Sequence, residues 1–147
     1  MLAVALDTRA RAGEPVTLRI GHLSDERSSL HVTRRPQHGT DFEPDREIVS
    51  LSPLSRDALT QWLPIRSQLT ETLEGGATAL RVTLAHNHAG TTSDDRSHTR
   101  RRQGMPLQQR GLIRSYNSGR HRYGLAHLLP PNLEQLRRAL ERESVGR

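Results

Sequence analysis

The chain has 147 residues, 33% of them apolar and 3% aromatic, which fits one domain with a core of Leu, Val, Ile and Ala. It has no cysteine, so disulfides and thiolate metal sites are excluded, and its net charge of +6 favours anionic partners. No apolar run approaches the roughly 18–20 residues needed to span a bilayer, so a cytoplasmic protein with no membrane partner is expected.

In chain order, the Met1–Asp7 stretch reads as the last turns of a helix. Gly13-Glu14-Pro15 opens a short helical piece to about Ile20, since Pro suits a first helical position. Gly21–Asp25 forms a turn. Ser29–Thr33 has strand character with Leu30 and Val32 on one side, and Glu47–Leu51 reads as a second strand. A Gly-, Asp- and Pro-rich stretch from Arg35-Pro36 to Pro44 joins them, which predicts a hairpin with an irregular tip. Ser52-Pro53 opens a helix on which Leu59, Trp62, Leu63, Leu69 and Leu73 recur at helical spacing. Pro64 predicts a kink or break in it, and Gly75-Gly76 a stop.

Ala79–Leu84 alternates as a third strand would. Residues 86–104 lack apolar periodicity and are expected to form a flexible basic loop. A helix from about Leu107 to Asn117 buries Leu112, Ile113 and Tyr116, turns Arg110 and Arg114 the other way, and ends at Ser118-Gly119. Pro130-Pro131 opens a last helix with Leu133, Leu136 and Leu140 as its stripe. The expected fold is α+β and mainly helical, with a small antiparallel hairpin or three-stranded sheet, in one domain over residues 1–147.

Charge is unevenly placed along this order. Residues 1–74 hold 9 Arg and 11 acids, whereas residues 75–147 hold 13 Arg and 5 acids. No acid occurs between Arg96 and Leu133, a span that contains Arg96, Arg100, Arg101, Arg102, Arg110, Arg114, Arg120 and Arg122. A long one-sided basic segment attracts phosphate, which makes double-stranded DNA the expected partner. Arg34 and Arg35, at the hairpin tip, join the same expected surface. All 22 basic residues are Arg, so no side-chain amine is available for proton transfer.

Three strings, in this order and spacing, resemble the catalytic domain of the tyrosine recombinases, the phage-integrase family. Ala5-Leu-Asp-Thr-Arg-Ala-Arg11-Ala-Gly-Glu14-Pro-Val-Thr-Leu18 is similar to the family's first catalytic box, with its Arg-x-x-Glu. Arg46-Glu-Ile-Val-Ser-Leu51-Ser-Pro53 resembles the passage from the hairpin into the next helix. Gly104-Met-Pro-Leu-Gln-Gln-Arg-Gly-Leu-Ile113 resembles the helix before the second box. The resemblance covers roughly residues 3–118. It implies that Arg11 binds phosphate, that Glu14 orients the segment, and that the protein derives from a DNA integration and recombination enzyme.

The sequence departs from that family where cleavage chemistry resides. The hairpin Lys, a general acid in the family, is absent, and Arg34, Arg35 and His38 stand in its region. No His-x-x-Arg follows residue 118. Tyr116 reads as core, and Tyr123, in Arg120-His-Arg-Tyr123, is a weak nucleophile candidate. The expectation is therefore a truncated or degenerate recombinase-like piece that binds DNA without cleaving it alone, with no cofactor and no bound metal.

Two other readings carry residues of their own. His86 and His88, with Asp94, Asp95 and His98, stand close enough in sequence to gather around a divalent ion, as in a metal-dependent nuclease. The apolar stripe of the 131–143 helix suits docking in cis, or in trans as the interface of a homo-oligomer or the contact of an interaction module.

Overall fold

A computed structural model describes residues 2–11, 13–34, 45–73, 78–84, 87–88, 100–101 and 103–145. The fold is α+β. Helix α1 spans Leu2–Thr8. Strands β1 (Ser29–Arg34) and β2 (Asp45–Ser50) pair antiparallel, from Ser29 opposite Ser50 to Arg34 opposite Asp45. Helix α2 covers Pro53–Thr70, and the short strands β3 (Asn87–His88) and β4 (Arg100–Arg101) pair antiparallel. Helices α3 (Gln109–Arg122) and α4 (Leu133–Val145) complete the chain.

The hairpin alternates as its sequence demands. Leu30 and Val32 are buried, while His31 between them is exposed. Helix α2 starts where Ser52 caps it, accepting from the Ser55 N–H, with Pro53 in the first turn. Asp7 at the end of α1 accepts from the Ser52 N–H at 2.8 Å, which fastens the two helices together. Of the two outcomes expected at Pro64, a break does not occur: α2 runs through it and ends at Thr70, ahead of the Gly pair. Its buried face explains why: Leu59 is fully covered, and Trp62 and Arg66 hydrogen-bond past the proline to the Leu80 and Ala79 carbonyls. Tertiary contacts on both sides of Pro64 hold the helix that propensity would interrupt.

Residues 13–20 form turns rather than a helix, ending in a 3-10 turn over Ile20–His22. The backbone groups of Leu18 and Ile20 are drawn off to Leu80 and Thr78, so no helical ladder can close. The expected third strand has only isolated bridges, Ala79 with Arg19 and Val82 with Pro106. It is instead an interior seam. Leu80 donates to Leu18, Thr83 to Met105, and Leu107 donates back to Arg81. Residues Ala79 to Thr83 are all buried, whereas Leu84, expected to share their inner face, is 64% exposed.

Two apolar clusters result. One joins Val4, Leu18, Leu30, Val32, Leu51, Leu59 and Leu80. The other joins Leu112, Tyr116, Leu133 and Leu136, with Leu2 and Leu6 packed against it. Helix α1 thus divides its sides between both. Helix α3 also departs from expectation by continuing through Ser118-Gly119 to Arg122, and the left-handed Gly124 (φ 65°) follows its end.

Candidate nucleic-acid interface

Helix α3 is the element on which the expected basic residues take a defined place. Its inner side is set by Leu112 and Tyr116, both buried, which recur at helical spacing. The Tyr116 hydroxyl donates to the Pro130 carbonyl at 2.7 Å. Burial raises the Tyr116 pKa above its ordinary value, partly opposed by the Arg120 charge. The opposite side presents Arg110, Arg114 and Arg122, all exposed, together with the exposed His121. Among the described residues no carboxylate pairs with these three Arg. At 1.5 Å per residue, Arg110 to Arg122 covers about 18 Å, the length of roughly five phosphates along one DNA strand.

Arg120 does not belong to this surface. It is 8% exposed, and its guanidinium donates to the Leu129 and Ala126 carbonyls and to Asn117 Oδ1 at 3.0, 3.1 and 3.3 Å. It also stacks over the Tyr116 ring at 5.9 Å. These contacts lash the 125–130 turn to α3; the expected phosphate contact is replaced by a structural one because the residue lies on the buried side of a helix that runs on to Arg122.

Arg34 is likewise committed inside the fold. Its Nη1 donates to Glu14 at 3.0 Å, its Nε to Glu47 at 2.7 Å, and its Nη2 to the Thr8 carbonyl at 2.6 Å. Glu14 is 4% exposed and also accepts from the Arg11 N–H at 2.9 Å. The carboxylate therefore fixes the turn after α1 and anchors it to β1. Arg11 is half-buried on that turn. Tyr123 lies on a different element, at the end of α3, with 73% of its surface exposed.

Arg35, Arg96, Arg102 and His86 lie outside the described residues, as does most of the 86–104 loop. Arg100 and Arg101 enter through their backbone alone, opposite His88 and Asn87. Among the described residues no group of three His, Cys, Asp or Glu is placed to hold a metal ion. No helix among them is long and apolar enough to cross a membrane.

Helix α4 offers a contrast to α3. Arg137 pairs with Glu134 and Glu141, and Arg138 with Glu134, so these two Arg are neutralised within the helix. Hydrogen bonding from Arg137 holds Glu134 below the usual carboxylate range. Its stripe is closed in cis, with Leu133 and Leu136 packed on Leu112 and Tyr116.

Two sets of cations escaped the sequence reading. Arg19, His31 and Arg46 surround His22 beside the outer side of the hairpin; burial first, then these charges, holds the His22 pKa below its ordinary 6.5. Arg66 and Arg81 are buried, at 8% and 7% exposure. Both look like solvent-facing residues in sequence, and only the long-range contacts of the 79–83 seam reverse that.

Comparison of the chain with family models, curated proteins and solved structures finds no match.

Proposed function

We propose that the protein binds double-stranded DNA through the outer side of α3, by contacts to phosphate rather than to base edges. The observation that carries this reading is the exposed Arg110, Arg114 and Arg122, free of carboxylate partners among the described residues, on a helix anchored by Tyr116 and Arg120. The guanidinium group suits this role because it stays charged and matches phosphate geometry with paired donors.

The resemblance to the tyrosine recombinases extends the proposal: a DNA binder derived from an integrase, without strand cleavage of its own. Its support is the three strings and the order of helix, hairpin, helix and basic helix. The interaction-module reading is weaker, because the α4 stripe that would carry it is already used in cis.

Fluorescence anisotropy with a labelled duplex tests the binding. Wild type binds at low salt, and the combined R110A/R114A/R122A variant loses most of that affinity while keeping its helical circular dichroism. Absence of wild-type binding at low salt sinks the reading.

A further inference from the structure

The outer side of the hairpin gathers basic groups that the α3 surface does not use. Alternation buries Leu30 and Val32 and turns His31 outward, directly opposite Ile48, with Arg46 on the diagonal. The bridge between Leu23 and Leu30 sets His22 alongside His31. Arg19 reaches the same place from the start of the 3-10 turn: its backbone N–H donates to His22 Nδ1 at 3.3 Å. That bond leaves the neutral His22 ring with its proton on Nε2, a donor on the opposite edge. The Arg19 Nη1 donates to the Thr78 hydroxyl at 2.5 Å, which steadies the guanidinium without neutralising it. Among the described residues no carboxylate forms an ion pair with Arg19 or Arg46. Asp45 and Glu47, the acids flanking Arg46, fall on the other side of the strand, where Glu47 accepts from Arg34. Burial and then the charges of Arg19, His31 and Arg46 hold the His22 pKa down; every charge acting on it is positive.

We propose that this outer face of the hairpin binds a phosphate group, with Arg19 and Arg46 supplying charge and His22 and His31 supplying ring N–H donors. A phosphate accepts on several oxygens around a tetrahedral centre, which suits donors arriving from the 19–22 turn and from both strands. A carboxylate accepts in a single plane and brings less charge to a face where like charges crowd. Arg19, His31 and Arg46 are exposed and His22 is half-buried, so the ligand stays partly hydrated and the excess of positive charge does the selecting. The site stands on different elements from the row of Arg on α3 and does not rest on it.

The test follows the imidazole Cε1–H resonances of His22 and His31 in the full chain, at fixed pH and ionic strength, during titration with inorganic pyrophosphate and, separately, acetate. Pyrophosphate is expected to shift both resonances along a saturable curve, and acetate to leave them in place. Arg19→Gln combined with Arg46→Gln is expected to weaken pyrophosphate by at least about tenfold. Should that pair disturb the fold, Arg46→Gln alone, at an exposed strand position, is expected to weaken it by at least about threefold. The R110A/R114A/R122A variant is expected to titrate as the wild type does. A duplex that shifts the same two resonances names the nucleic-acid backbone as the source of the phosphate; a duplex that leaves them while pyrophosphate moves them names a free phosphate compound, and either result supports the site. Resonances unmoved by pyrophosphate, an equal response to acetate, a curve unchanged by Arg46→Gln, or one lost in the α3 variant overturns the proposal.

Discussion

Gly104 shows how one residue fixes the junction between the seam and α3. Its φ is +84°, its N–H donates to the Thr83 carbonyl, and a Cβ there would drive into the backbone carbonyl of Leu69. Gly104→Ala is therefore expected to destabilise the protein by about 2 kcal/mol or more, because both the dihedral and the clash oppose it. Gly119→Ala, inside α3 with open space around it, is expected to be neutral or stabilising by up to about 1 kcal/mol. Denaturant midpoints of the two variants measure the contrast; equal shifts would remove the junction argument. His22 supplies a second prediction at this scale. Its Nδ1 accepts from the Arg19 N–H, and its folded pKa lies below 6.5. The unfolded chain thus takes up the proton more readily, so the contribution of neutral His22 is present above about pH 6.5 and is lost as pH falls. Thermal unfolding midpoints should decline from about pH 6.5 toward 5, and His22→Gln, which keeps an acceptor, should flatten that decline. An unchanged profile in the variant would assign the pH response elsewhere.

At the scale of elements, α2 is a helix kept whole by its packing. Pro64 lacks an N–H and crowds the preceding turn, yet the Trp62 and Arg66 bonds to the seam span it. Pro64 is exposed, so Pro64→Ala should restore a backbone bond without disturbing the core and raise stability by about 1–3 kcal/mol. A loss of stability would show that the proline shapes the helix rather than straining it. What the sequence made legible follows the range of the forces involved. The hairpin, the Ser52-Pro53 start of α2 and the Leu133-Leu136 stripe are encoded by alternation, capping and periodicity within a few residues. Residues 13–20 and 79–84 were misread because their backbone partners lie about sixty residues away in the one case and on both sides in the other, as in the Ile20 bond to Thr78. The same blindness hid Arg81, which alternation alone would assign to solvent, and misplaced Arg120, whose burial depends on α3 continuing past Ser118-Gly119.

Across the whole molecule, charge is sorted by helix. Glu134 and Glu141 pair with Arg137 of α4 and Glu134 with Arg138, Glu14 and Glu47 hold Arg34, and backbone carbonyls hold Arg120. On α3 this leaves Arg110, Arg114 and Arg122 exposed and without a carboxylate partner among the described residues, on a helix whose other side is locked into the core. This sorting is the central claim, and the salt dependence of duplex binding tests it most directly. Each phosphate neutralised contributes about −0.9 to the slope of log affinity against log salt. The wild type should show a slope at least as steep as about −3, and the R110A/R114A/R122A variant a slope shallower by about 3. Wild-type affinity that ignores salt, or a variant whose slope matches the wild type, would contradict the account.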